Sequence, residues 1–128
     1  MKKTALLVIL VEDQESLGKN MKKVIENHGF QVIWCRDSGS AQETYDTQKE
    51  KLFAVILDGH LNDTSKDDTL PLIKHMVEDN FQGFMIATSL DPTMEFQMKV
   101  AGCTSHCTKM DIIKELQKLT EMSVRTTV

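Results

Sequence analysis

The sequence predicts an α/β fold in which a parallel β-sheet is covered by helices on both faces. Apolar runs and helical patterns alternate five times along the 128 residues, and the first run is continuously apolar, as in a buried strand. Right-handed crossovers then give a doubly wound domain of three layers. No linker or repeat interrupts the pattern, so we expect a single domain over residues 1–128, with its core at about 3–120 and a tail at 121–128.

The predicted strands follow from short apolar runs that end in polar residues. They are expected at about 5–11, 32–35, 53–57, 84–87 and 105–108, and the last of these is weak and polar.

The predicted helices lie between these strands. The first runs from about 16 to 27, ends at Gly29, and places Leu17, Met21, Val24 and Ile25 on one face. The next two begin near residues 37–39 and 68–69. The fourth has Asp91 as its N-cap and ends near residue 101, and the last begins near residue 111 with apolar residues at helical spacing.

Acidic residues follow two of the predicted strands. Glu12 and Asp13 come directly after the first strand, and Asp58 closes the third. Because ligands of such sheets bind beyond the carboxyl ends of the strands, we expect these side chains and Thr88, after the fourth strand, to share one site. Three carboxylates that close repel one another and require a cation.

Composition excludes several classes of function. A net charge of −4 without a basic cluster argues against nucleic-acid binding, and no stretch is long enough to cross a membrane. The first residues, Met1 to Lys3, mimic a secretory signal, but the apolar run after them stops at Glu12 without a cleavage site. With three cysteines and no export signal, we expect reduced thiols and a cytoplasmic protein.

Four features in order make the chain resemble a response-regulator receiver domain over roughly Lys3 to Leu119. The pair Glu12-Asp13 resembles the acidic pair of that family, Asp58 its phosphoacceptor, Thr88 its switch hydroxyl and Lys109 its lysine after strand five. The resemblance implies a flavodoxin-like (βα)5 fold with the strand order 2-1-3-4-5.

The resemblance also implies a metal site for Mg²⁺ or Mn²⁺. Asp13, Asp58 and the backbone carbonyl of His60 would ligate the ion directly, while Glu12 would act through water. A carboxylate such as Asp58 can attack phosphorus and hold an acyl phosphate. Catalysis would then consist mostly of positioning and charge neutralisation.

Other site residues are expected to assist the phosphoryl group or to report on it. Lys109 would pair with Asp58 and then with a phosphoryl oxygen, and Thr88 would donate to another oxygen, with Ser89 an equally placed hydroxyl. Positions two past the acceptor and two past the switch hydroxyl border the path of attacking water in the family. These positions are His60 and Leu90.

Two departures from the family pattern concern the end of the chain. Met110 stands where the family usually has a proline, and the peptide before that proline is often cis. Because a cis peptide before methionine would cost roughly 3–4 kcal/mol, we expect the loop to differ here. His106 stands at the aromatic switch position, where it can rotate or titrate, or simply be an exposed residue of an edge strand.

The sequence thus predicts a phosphoaccepting receiver, a signalling protein rather than an enzyme. A histidine kinase or phosphotransfer protein would be the donor, and a downstream protein would bind the face of helix four, strand five and helix five. On helix four, Met94 and Met98 form one stripe and Phe96 and Val100 form another. Either one stripe is exposed, and an exposed methionine pair would suit adaptable docking, or all four residues lie in the core.

Two other functions remain open at this point. The departures allow a receiver-like binding module that works without phosphorylation. An aspartyl-nucleophile phosphohydrolase is disfavoured, because the position two past Asp58 is His60 rather than a second acid, and the chain has no room for a cap domain. The initial Met1 favours a stand-alone protein over a receiver excised from a longer chain.

Overall fold

Strands and helices alternate through the part of the chain that the computed structural model describes, residues 5–59 and 69–126. The strands are β1 (Leu7–Val11), β2 (Gln31–Cys35), β3 (Leu52–Leu57), β4 (Phe84–Ala87) and β5 (Ser105–His106). The helices are α1 (Glu15–Asn27), α2 (Ser38–Gln48), α3 (Thr69–Glu78), α4 (Pro92–Ala101) and α5 (Ile112–Thr126), and a 3-10 turn at Lys109–Asp111 precedes α5.

The strands form one parallel sheet in the order β2-β1-β3-β4-β5, which confirms the predicted fold class and strand order. The register aligns the carboxyl ends of the central strands: Val11 pairs with Leu57, and Leu57 pairs with Ala87. The residues that follow these three positions therefore start from the same edge of the sheet, and it is this edge that carries the candidate site.

The sheet separates two apolar cores. Successive strand residues point to opposite faces, so Val8 and Leu10 pack with α1 and α5, whereas Ile9 and Val11 pack with α2, α3 and α4. Both faces of the central strands are buried, as expected for a parallel sheet between helical layers. None of the helices within the described ranges has the length and apolarity that a membrane span requires.

Most predicted boundaries agree with the structure to within a residue or two, and α4 begins and ends as predicted. Gly29, at a φ of 93°, donates its N–H to the Glu26 carbonyl at 3.0 Å and terminates α1 as predicted. On α1 the prediction was wrong for Val24, which is exposed, because Gly18, Met21 and Ile25 form the stripe that faces the sheet.

The last two elements differ from expectation. The strand β5 contains only two residues. The helix α5 extends to Thr126, well past the predicted tail boundary, because residues 121–126 contain neither glycine nor proline to stop it. The three cysteines are free, and Cys103 and Cys107, which lie on either side of the short strand, pack in opposite cores.

Candidate functional site

The predicted acidic cluster forms at the carboxyl edge of the sheet. Glu12, Asp13 and Asp58 each offer a carboxylate oxygen, and the three oxygens lie within 4.8 Å of one another. The parallel register brings them together: Val11 and Leu57 are partners, and the Asp58 N–H donates to the Val11 carbonyl at 3.2 Å. Hard carboxylate oxygens at this separation fit Mg²⁺ or Mn²⁺ as ligands.

Glu12 is the buried member of the cluster, with 1% of its surface exposed. Its side chain accepts a hydrogen bond from Lys109 Nζ at 2.6 Å and another from the Gln14 backbone N–H at 3.1 Å. Both contacts stabilise the charge that burial would otherwise penalise. Glu12 is therefore held in one place at the floor of the site.

The backbone of Glu12 is held as firmly as its side chain. Its N–H donates to the Cys35 carbonyl at 3.0 Å, and its own carbonyl accepts from the Trp34 indole N–H at 2.8 Å. Trp34 reaches this position because residue 18 is glycine: a Cβ there would collide with the indole ring. The sequence alone did not identify Trp34 and Gly18 as supports of the site. The single tryptophan of the chain, on the strand beside the one that ends in the acidic pair, could have indicated such a role.

Lys109 lies between two of the acids. Its Nζ is 2.6 Å from Glu12 Oε1 and 3.5 Å from Asp58 Oδ2, so the shorter ion pair is with Glu12 rather than with Asp58, the expected partner. The Lys109–Met110 peptide is trans, and the 3-10 turn continues directly into α5. The lysine therefore comes within reach of both acids from a loop that has no proline.

The surroundings of Asp13 in the cluster disfavour its ionised form. Burial raises the pKa of its carboxyl, the negative charge of Glu12 raises it further, and the nearby Lys109 only partly opposes these effects. A cation bound among the three carboxylates would favour the ionised form of Asp13, so the charge distribution also fits a metal site.

Asp58 is also tied to the next helix. Its backbone carbonyl accepts a hydrogen bond from Thr69 Oγ1 at 2.7 Å, and Thr69, the first residue of α3, is buried. The sequence predicts a helix start here but does not mark Thr69 as part of the site. A hydroxyl at a helix start next to a predicted site is the only signal that could have found it.

The two hydroxyls after β4 have different partners. Thr88 Oγ1 donates to the Leu57 carbonyl at 3.0 Å, and Ser89 Oγ accepts from the Asp91 N–H at 3.1 Å. Both residues are buried. Ser89 therefore helps to begin α4, which leaves Thr88 as the hydroxyl on the strand end beside Asp58.

These side chains line a cleft of about 650 Å³ that includes Asp13, Asp58, Thr88 and Lys109. Leu90 and Met110 lie on its rim with 84% and 94% of their surfaces exposed. The positions proposed for His60, as a carbonyl ligand and as a residue that borders the water path, lie outside the described residues.

His106 is exposed at the end of β5, and it also connects two other elements. Its Nε2 lies 3.1 Å from the Ser89 carbonyl oxygen, and its Nδ1 lies 3.2 Å from Glu95 Oε1 on α4. His106 is thus an exposed edge residue, and it also contacts the loop that follows Thr88, while its role as a switch stays a prediction.

Comparison with solved structures assigns the fold. The chain is similar to the signal receiver domain of a putative Luxo repressor protein from Vibrio parahaemolyticus, at 15% identity and a TM-score of 0.76, over 97% of each chain. It is similar to the receiver domain of Francisella response regulator 1452, at 18% identity and a TM-score of 0.77, over 91% of this chain and 98% of that one.

A third similar structure is the CheY-like response regulator receiver domain from Methylobacillus flagellatus, at 20% identity and a TM-score of 0.74, over 91% of this chain and 99% of that one. No family model and no curated protein matches the chain by sequence. The fold is thus that of response-regulator receiver domains, which the sequence resemblance predicted, and the match is one of structure at low identity.

Proposed function

We propose that the protein is a phosphoaccepting receiver of a two-component or phosphorelay system and that Asp58 is its phosphoacceptor. The observation that carries the proposal is the convergence of three carboxylates, a lysine and a hydroxyl at the carboxyl edge of a receiver-type sheet. It is a signalling protein rather than an enzyme with a separate substrate, and its place of action is the cytoplasm.

The proposed chemistry assigns one role to each side chain. One Asp58 oxygen attacks phosphorus as the bond from phosphorus to the donor breaks. Lys109 moves from its contact with Glu12 towards the new phosphoryl oxygen, and Thr88 donates to another oxygen. Asp13 and Asp58 would hold a Mg²⁺ or Mn²⁺ ion directly and Glu12 would hold it through water, and the ion would neutralise the negative charge of the site.

The proposed donor is a histidine kinase or a histidine phosphotransfer protein. The exposed Leu90 and Met110 beside the acceptor support a protein donor, because two large apolar side chains at the mouth of a charged cleft suit a protein contact. Leu90 is also proposed to limit the access of water to the phosphoryl group. The proposed output is phosphorylation-dependent binding of a downstream protein.

The test is a mass measurement after incubation with Mg²⁺ and a small acyl-phosphate donor. The wild type is expected to gain one phosphoryl group on Asp58, and Asp58→Asn is expected to gain none. Glu43→Gln, which removes an exposed acid of α2 that does not line the cleft, serves as the matched control and should label normally. Label that persists in Asp58→Asn would reject the acceptor, and a wild type that takes no label would favour a module that works without phosphorylation.

A further inference from the structure

The helices α3 and α4 form an apolar groove on the surface, here called the α3–α4 groove. Its volume is about 860 Å³, and its lining residues are Leu70, Pro71, Lys74, Phe96, Gln97, Val100 and Ala101. Phe96 and Val100 are 66% and 70% exposed, whereas Met94 and Met98 on the same helix are buried in the core. Of the two stripes on α4, the exposed one is therefore that of Phe96 and Val100, and the methionine pair offers no docking surface.

The exposed apolar surface of α4 is directed towards α3 rather than towards β5. On the β5 side, the surface next to α4 contains Glu95, Lys99 and His106, which are polar or charged. An apolar partner would gain little there, because burying such groups without matched contacts is costly. The apolar surface that is open to a partner thus lies on the other side of α4.

We propose that the α3–α4 groove binds an amphipathic helix of a partner protein and that an acidic side chain of this helix pairs with Lys74. Both walls of the groove are helices, and the lining residues Phe96 and Val100 are four apart, as are Leu70 and Lys74. Rows of this spacing receive the ridge of a third helix.

Charge complementarity selects the kind of helix. Lys74 is the one charged residue among the described residues that line the groove, and it makes no ion pair within the described part of the chain. A partner with an acidic residue beside its apolar stripe would pair with it, whereas a basic residue would be repelled.

Both walls of the groove are connected to Asp58, which links the groove to the proposed phosphorylation. On one side, the Thr69 hydroxyl at the start of α3 donates to the Asp58 carbonyl. On the other side, Gly59 packs so closely on α4 that a Cβ at this position would lie 2.5 Å from Met94 Cγ. This link rests on the proposed function, and a shift of the backbone at Asp58 would alter the spacing of the two helices.

The experiment uses two synthetic helical peptides of about 15 residues, with leucines four apart and either glutamates or lysines beside them. Binding to the full chain is measured by fluorescence anisotropy. The glutamate peptide is expected to bind at least about tenfold more tightly than the lysine peptide, and Lys74→Glu to reverse that preference. The double variant Phe96→Ser with Val100→Ser is expected to weaken binding about tenfold or more.

Val24→Ser is the matched control, because it removes an exposed apolar side chain from α1, and it should leave binding unchanged. Failure of both peptides to bind, or binding that survives the double variant, would overturn the proposal. Self-association that the double variant abolishes would also overturn it, by showing that a second copy covers the groove.

The link to Asp58 is tested separately by repeating the titration with protein whose phosphorylation has been verified by mass. A changed affinity supports the link, and an unchanged affinity rejects it while the docking site stands. If no label enters Asp58, the proposed function and the link fail, whereas the peptide results on the unmodified protein still decide the groove.

Discussion

The backbone carbonyl of Glu12 accepts a hydrogen bond from one side chain, the indole N–H of Trp34. Trp34 donates to the Glu12 carbonyl across the β1–β2 edge, and only glycine at position 18 leaves room for the ring. Trp34→Phe keeps an aromatic ring but leaves that carbonyl without this partner, so we expect a loss of about 1 kcal/mol in the free energy of unfolding. Urea denaturation measures it, and a stability equal to that of the wild type would contradict the assigned role.

Asp13 is expected to destabilise the metal-free fold at neutral pH. The pKa of its carboxyl is raised in the folded state, so the folded protein binds the proton more tightly than the unfolded chain, and stability falls as the pH rises through the folded pKa. Asp13→Asn should therefore raise the melting temperature without metal. It should also abolish most of the increase that Mg²⁺ produces in the wild type.

Thermal unfolding across a magnesium titration provides the measurement, with Glu43→Gln as a control that keeps the whole cluster. A wild-type melting temperature that does not respond to Mg²⁺ or Mn²⁺ would count against the metal site. If metal-free Asp13→Asn melts at a lower temperature than the wild type, the claim that Asp13 destabilises the metal-free fold is wrong, while the metal site is unaffected.

Between elements, a polar network at the opposite end of the sheet joins α2 to the residues that follow α3. The hydroxyl of the buried Tyr45 donates to Asp79 Oδ2 at 2.8 Å, and Lys49 Nζ lies 3.1 Å from the same carboxylate oxygen. These contacts, with that of Tyr45 first, lower the pKa of Asp79. The network holds the end of α3 that lies away from the cleft.

The network predicts a pH-dependent contribution to stability. The pKa of Asp79 is lower in the folded protein than its ordinary value of 3.8. Ionised Asp79 therefore stabilises the fold fully at pH values above 3.8, and this stabilisation is lost as the pH falls through the folded pKa. Asp79→Asn should therefore be less stable than the wild type at neutral pH, with the difference vanishing in strong acid. Denaturation with Tyr45→Phe in a double-mutant cycle should give less than additive losses, and additive losses would show that the two groups are not coupled.

At the scale of the whole molecule, phosphorylation is expected to affect α3, α4 and β5 more than α2, although α2 packs on the same face of the sheet as α3 and α4. Asp58 and the adjoining Gly59 contact α3 through Thr69 and α4 through Met94, while His106 connects β5 to the Ser89 carbonyl. Hydrogen exchange after phosphorylation should change in α3, α4 and β5, and should change little in α2. Asp58→Asn treated in the same way is the control, and changes confined to the neighbours of Asp58 would show that phosphorylation does not reach α3, α4 and β5.

Much of the fold and part of the site could be predicted because their signals are local. Continuous apolar runs separated by helical patterns require a parallel sheet between helices, and the register of such a sheet brings Glu12, Asp13 and Asp58 to one edge. The N-cap of α4 at Asp91 and the end of α1 at Gly29 could also be predicted, because the side chain or the backbone of the residue itself determines each boundary.

The remaining features depend on contacts between residues that are distant in the chain, which no local pattern encodes. The preference of Lys109 for Glu12 follows from the course of the loop after β5. The burial of Met94 and exposure of Phe96 follow from how α4 is rotated against the sheet and α3. The sequence by itself therefore determined the layers and the acidic edge, whereas packing between elements decided which charge is neutralised and which apolar stripe faces solvent.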